Sequence, residues 1–173
     1  GGYNTVMESL GRLSRSFSLL LIASAVIALG TAYTAQYVFG YEPCVLCLYQ
    51  RVPYAIIGVI GIVTVYWCAP EKMHLVAVFA CLVFLVSAGI SFYHVGVEQT
   101  WWVSVAPCGG GAGDIASTQD LLAALQEKPA KSCGDIEWTL FGISMATYNV
   151  AVSLALAGTS FHGWRRMREF TYA

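Results

Sequence analysis

Four long stretches without a single Asp, Glu, Lys or Arg govern what this chain can fold into. They run over residues 17–39, 52–70, 73–97 and 138–164. About 20 predominantly apolar residues in a helix cross the hydrocarbon core of a bilayer, so each stretch predicts a membrane span. The first is too long for the apolar region of a removable signal peptide. Composition agrees: 57% of the residues are hydrophobic and 11% charged, against roughly 25% charged in a soluble domain. A net charge of −1 gives no reason to expect nucleic acid as a partner. The opening "GGYN" lacks a start methionine and reads as an expression scar, outside the fold reading. With no internal repeat, the expected fold is an all-α membrane protein, one domain over residues 1–173, built as a four-transmembrane-helix bundle.

Basic residues orient it. Arg12 and Arg15 precede span 1, Lys72 lies between spans 2 and 3, and Arg165, Arg166 and Arg168 follow span 4. Four spans put these segments on one side, and the positive-inside rule makes that side the cytoplasm. Both termini are therefore expected there. The long loop of about residues 98–137 is expected outside.

That topology sorts the six cysteines. Cys44, Cys47, Cys108 and Cys133 fall on the outer side, where disulfides form and persist. Cys68 and Cys81 fall within or near spans 2 and 3 and read as small packing residues.

The Cys-x-x-Cys lies in "EPCVLCLYQR", residues 42–51. If the second helix begins near Pro43, Cys44, Cys47 and Arg51 share a face, with Cys47 and Arg51 neighbours at i,i+4. A helix N-terminus and a nearby cation both favour the thiolate. Pro53 sets the alternative: a helix that starts only at about Val52, in which the shared face is lost. An arginine at the membrane edge marks a functional position or snorkels to lipid headgroups. Here its partner would be a thiolate or a ligand oxygen. Leu48 stands where c-type haem attachment needs a histidine. A four-cysteine zinc site would need Cys108 and Cys133, which are 25 residues apart and form no knuckle. Two inert structural disulfides remain open, although a Cys-x-x-Cys bridge closes too tight a loop to add much chain-entropy stabilisation.

In the outer loop, Trp101 and Trp102 read as interface anchors. Gly109, Gly110, Gly111 and Gly113 make a flexible arm beside Cys108. Ser117 or Thr118 caps a short helix with an apolar edge of Leu121, Leu122 and Leu125, suited to the membrane surface and ended by Pro129. Near the outer end of span 3, His94 and Glu98 are i,i+4 neighbours able to bind or protonate a group at the rim. Asn149 in span 4 reads as an interhelical hydrogen-bonding residue.

Two redox-capable pairs on one face suggest a relay. An outside dithiol reduces Cys108–Cys133, which reduces Cys44–Cys47 by exchange. With no flavin, nucleotide or haem motif in the chain, the apolar phase beside Arg51 points to a lipid-soluble acceptor, a quinone. The competing reading is a structural tetraspan membrane protein with two inert extracytoplasmic disulfides. A metal-binding channel would need more intramembrane polar residues than Arg51, His94 and Asn149.

The segment "PCVLCLYQR" resembles the "PCxLCxxxR" segment of the DsbB family, bacterial disulfide bond formation protein B. The resemblance covers nearly the whole chain and continues through "CGDIEWTLFGISMA" into span 4. The order of the pairs separates it from vitamin K epoxide reductase relatives, whose loop pair comes before the Cys-x-x-Cys. The resemblance implies a protein-dithiol:quinone oxidoreductase of the bacterial inner membrane, with both pairs periplasmic. Its partners would be a DsbA-like thioredoxin-fold protein, membrane lipid, and ubiquinone or menaquinone as acceptor. Cys108 would meet the partner's thiol, and Cys133 would exchange with Cys44. Cys47 would face the quinone, Arg51 would stabilise charge on its oxygen or on the thiolate, and His94 would lie near its ring. The chain departs from the family pattern at Gln50, where the best-known member has an acid, at Pro53, and in its glycine-rich loop.

Overall fold

Helices form over every apolar run, and the first and last extend beyond theirs at the charged ends. The computed structural model describes residues 2–105, 133–134, 136 and 138–172. Within these, α1 spans Gly2–Tyr37, α2 Val45–Trp67, α3 Met73–Glu98 and α4 Met145–Tyr172, with a 3-10 turn at Pro70–Lys72 between α2 and α3. Three stretches, Asn4–Tyr37, Val45–Trp67 and Pro70–Glu98, are long and apolar enough to cross a membrane. The less apolar α4 carries Asn149, Ser153, Thr159 and Ser160 and falls outside that set. The fold is that of an all-α membrane protein. The expected loop helix over Ser117–Pro129 lies outside the described residues.

Two helix starts are set by local caps that the runs do not show. α2 starts at Val45, seven residues before its uncharged stretch, because the Cys44 sulfur accepts the Cys47 backbone N–H and caps the helix. Pro43 thus precedes the cap instead of opening the helix, and Pro53 sits buried inside a continuous α2. α4 starts at Met145 instead of Trp138. Thr139–Leu140 pairs antiparallel with Ile143–Ser144 through a two-residue turn. Both turn residues, Phe141 and Gly142, have positive φ, the geometry that matches strand twist in such hairpins. Ser144 then caps α4 by accepting the Thr147 N–H at 3.3 Å.

Packing is pairwise: α1 lies chiefly on α2 and α3 chiefly on α4, with α2 against α3 and little contact between α1 and α4. The α3 face is buried at Met73, Ala77, Ala80, Phe84, Ser87, Ser91 and His94. This alternating spacing of three and four is that of an antiparallel helical seam. On α4, Ser153 bonds Ser87 of this face, and Ala157 and Met167 share its buried cluster. Small residues let the backbones approach, which is how helices gain attraction where lipid removes the hydrophobic drive. On the other pair Gly61 does the same. A Cβ there would lie 2.8 Å from Ile22 Cγ1 and 3.1 Å from the Ile22 backbone nitrogen.

Leu10, Met73 and Met167 share one buried cluster. The start of α1, the α2–α3 turn and the end of α4 therefore gather at one end of the bundle. Cys44, Val97 and Cys133 cluster at the other.

Substituting Gly61 tests the α1–α2 contact. Gly61→Val should destabilise the folded protein by about 1–3 kcal/mol, the cost of overpacking a tight interface, read as a lowered midpoint of thermal unfolding in detergent. Gly30→Val, where a Cβ meets nothing within 4 Å, should change it far less.

Candidate functional site

The helix start brings the two sulfurs together. Cys44, in extended conformation at the cap, and Cys47, one turn into α2, stand 2.9 Å apart as free thiols sharing a hydrogen bond. The Cys47 N–H reaches the Cys44 sulfur at 3.3 Å, and His94 Nε2 of α3 lies 3.6 Å from it on another side. Cys44, just outside the α2 span, has its thiol pushed well below the ordinary range. The hydrogen bond with Cys47 is the largest cause, with His94 and the Cys47 backbone adding to it and burial opposing. The thiolate favoured here is therefore that of Cys44, and the ring nitrogen beside it is that of His94. Arg51 plays no part in it: Nη1 donates to Gln36 Oε1 at 2.7 Å and the guanidinium lies over the Tyr33 ring, 5.0 Å from its centroid. The local i,i+4 expectation for Cys47 and Arg51 gives way because α1 offers the guanidinium both an acceptor and a ring face.

His94 is held on every side. Gln50 Nε2 meets its Nδ1 at 2.8 Å, and Glu98 Oε1 lies 3.7 Å from its Nε2. Glu98 is fixed in turn by the Ser144 hydroxyl, which donates at 2.6 Å from the cap of α4. Gln50 Oε1 accepts from Asn149 at 2.9 Å, and Asn149 also donates to Ser91 and accepts from Tyr54 at 2.7 Å each. Tyr54, Ser153 and Ser87 continue the chain at 3.0 Å steps. Asn149 thus does bind across helices, as expected.

Cys133 is 1% exposed, disulfide-bonded, and packed in one buried cluster with Cys44, Leu46 and Val97, with Cys47 at its edge. Its bonding partner and Cys108 lie outside the described residues. A second relation ties it to the site, a hydrogen bond between its backbone and His94.

Cys44, Cys47, Gln50, Arg51, Tyr54, His94 and Glu98 also line a cavity of about 550 Å³ in the cleft between α1 and α4. Its remaining walls are mostly apolar, including Ile27, Ala28, Ala32, Trp138, Met145 and Val152. Ligand sites are commonly of this kind: mostly apolar clefts of roughly 300–1,000 Å³ with a few placed polar groups. The structure therefore brings together Cys44, Cys47, Cys133, His94 and Arg51. Sequence reasoning missed Gln36, Tyr33 and Tyr54. The signals were present: Gln36 is the one amide in the first apolar run, and Tyr54 lies one turn beyond Gln50.

Comparison with known proteins gives a consistent result. The model of the family described as "Disulfide bond formation protein DsbB" matches residues 14–162. An uncharacterized protein of Rickettsia prowazekii is 32% identical over 141 residues, covering 80% of this chain and 81% of its own. Disulfide bond formation protein B of Acinetobacter baumannii is 29% identical over 150 residues, 84% of this chain and 88% of its own. Disulfide bond formation protein B 2 of Pseudomonas savastanoi pv. phaseolicola is 30% identical over 156 residues, 84% and 86%. No solved structure matches the chain.

The Cys44 environment makes a direct prediction. In the reduced protein, thiolate absorbance near 240 nm should develop with a midpoint within the range of about 3.5–7.5 found for thiols at helix N-termini, not near the ordinary value of about 8.5. The lowered value means thiolate persists as pH falls and is lost only below that midpoint. His94→Ala should move the midpoint up, and Arg51→Gln should leave it in place.

Proposed function

The chain belongs to the disulfide bond formation protein DsbB family, and on that premise we propose that it is a membrane protein-dithiol:quinone oxidoreductase that reoxidises a periplasmic DsbA-like thioredoxin-fold protein. One observation carries the reading. The Cys-x-x-Cys pair at the start of α2 packs against a disulfide-bonded Cys133 on one side and lines a mostly apolar cavity on the other. An electron relay needs a donor disulfide and an acceptor site in contact with the same pair.

The partner of Cys133 is taken as Cys108, since the other four of the six cysteines are free. A partner dithiol reduces Cys108–Cys133 by exchange and leaves as a disulfide. The Cys133 thiolate then attacks the Cys44 sulfur of an oxidised Cys44–Cys47 pair, and Cys47 departs as the thiolate. Attack by Cys108 on the mixed disulfide restores the loop bridge and frees Cys44, completing a two-electron transfer into the pair. The environment of Cys44 favours this direction. Stabilising a thiolate in the reduced form makes a pair more oxidising, and Cys44 gains that from the helix N-terminus, Cys47 and His94.

A quinone of the ubiquinone or menaquinone class would supply an acceptor of two electrons and two protons. The cavity residues fit such a head group: apolar walls from α1 and α4, with polar side chains gathered near the sulfurs. Arg51 commits one N–H to Gln36 and has further donors for a ligand oxygen. His94, between Gln50, Glu98 and Cys44, is the group placed to exchange a proton with the thiols.

The membrane setting is part of the proposal. α4 is the fourth span, and the bundle lies in the bacterial inner membrane. The end holding Arg12, Lys72 and Arg166 faces the cytoplasm by the positive-inside rule, so both Cys pairs are periplasmic.

Purified protein, a reduced thioredoxin-fold donor and a soluble quinone analogue test it together. The wild type should oxidise the donor with stoichiometric loss of quinone absorbance. Cys47→Ser should abolish quinone reduction. Cys108→Ser should abolish donor oxidation while leaving Cys44–Cys47 able to form its bridge. Arg51→Gln should raise the quinone KM about tenfold, the loss expected for a charge-assisted hydrogen bond. Absence of quinone reduction with every reduced thioredoxin-fold donor tried would overturn the reading.

A further inference from the structure

Cys44 Sγ, Cys47 Sγ and a ring nitrogen of His94 all lie within 4.8 Å of one another. Two sulfurs and an imidazole are the donor set that selects zinc-class ions over the oxygen-preferring magnesium and calcium. We propose that the reduced Cys-x-x-Cys and His94 form a redox-gated binding site for a thiophilic divalent cation of the zinc class.

The geometry fits with little rearrangement. Tetrahedral zinc with bonds of about 2.3 Å to sulfur and about 2.0–2.1 Å to nitrogen separates those two ligand atoms by about 3.6 Å. Cys44 Sγ and His94 Nε2 stand 3.6 Å apart. The same ion separates two sulfurs by about 3.8 Å, so the 2.9 Å pair must open modestly, a change within reach of side-chain rotation. Nitrogen ligation through Nε2 requires the proton on Nδ1, where Gln50 stands at 2.8 Å. Turning the Gln50 amide over presents an oxygen to that proton, and Asn149, hydrogen-bonded to the other end of the amide, can turn with it. A histidine held through its second nitrogen is the usual arrangement around bound zinc. Glu98, 3.7 Å from Nε2, stands outside this trio, and a water held by its carboxylate would complete the four ligands.

Charge favours the complex as well. Two thiolates and a divalent cation sum to zero, so binding releases any proton left on the sulfurs and leaves a neutral centre at the edge of an apolar cavity. Oxidation removes the site, because a disulfide offers no thiolate. Ion and disulfide are therefore mutually exclusive, and the ion would hold the pair in its reduced state.

Binding is tested without reference to turnover. The full chain in detergent is reduced, freed of reductant and titrated with Co2+ as a spectroscopic probe and then Zn2+ in competition with a chromophoric chelator. The oxidised protein is titrated in parallel. The reduced protein should bind one equivalent, with thiolate-to-cobalt absorption and the visible bands of tetrahedral Co2+, and the oxidised protein none. His94→Ala should weaken binding about tenfold or more, the loss typical of disturbing a zinc site. His94→Gln, which keeps a hydrogen-bonding side chain beside Gln50, should do the same with near-UV dichroism unchanged. Cys81→Ala should bind as the wild type does. Absence of binding by the reduced protein, equal binding by the oxidised protein, or affinity unchanged in both His94 variants, which would place the ion on the loop cysteines, each overturns the proposal. Loss of donor oxidation on adding Zn2+, restored by EDTA, is a second readout that rests on the oxidase reading. Donor oxidation that persists with Zn2+ bound would overturn the exclusion of the disulfide by the ion, whereas absence of donor oxidation without Zn2+ would count against the oxidase reading and leave the metal site standing.

Discussion

The hydrogen bond from the Cys47 backbone N–H to the Cys44 sulfur fixes where α2 begins, and the site depends on that beginning. A start at Cys44 winds Cys47, Gln50, Arg51 and Tyr54 into successive turns facing the cavity. A start seven residues later would leave the sulfurs on an extended strand, away from the amide dipoles that favour a thiolate. One sulfur thus serves two purposes. It satisfies a backbone donor that a helix end leaves open, and the same contact helps hold it in its reactive form.

Eight polar side chains of the bundle form one connected set. From Glu98 through His94, Gln50 and Asn149 to Tyr54, Ser153, Ser87 and Ser91, each side chain finds a partner on another helix or on its own. Unsatisfied polar groups in an apolar interior cost several kcal/mol each, so such a chain holds α2, α3 and α4 in one relative placement. It also sets how far α4 can approach. Its small residues seat it on α3 while leaving it clear of α1, and the cleft between them is the cavity beside the sulfurs.

Much was legible in the chain itself. Uncharged runs gave helices, because a membrane core demands length and apolarity. Charges grouped the ends, and the Cys-x-x-Cys with its arginine carried the family resemblance. The start of α2 was legible only as a choice, since Pro53 argues locally against a helix that the Cys44 cap stabilises. The α4 start was misplaced by seven residues. Hydropathy does not see that Phe141 and Gly142 turn the chain back before Ser144 caps the helix.

The sequence by itself determined the helices, their shared ends and the spacing that puts two sulfurs at a helix start, because these follow from local periodicity and from what a bilayer excludes. Tertiary structure alone decided which side chain serves which group. Arg51 is one turn from Cys47 in sequence, yet it bonds Gln36, fifteen residues earlier. His94 is fifty residues from Cys44, yet it stands at its sulfur. Spacing along a helix fixes which residues share a face. Only the packing of one helix on another fixes what that face meets.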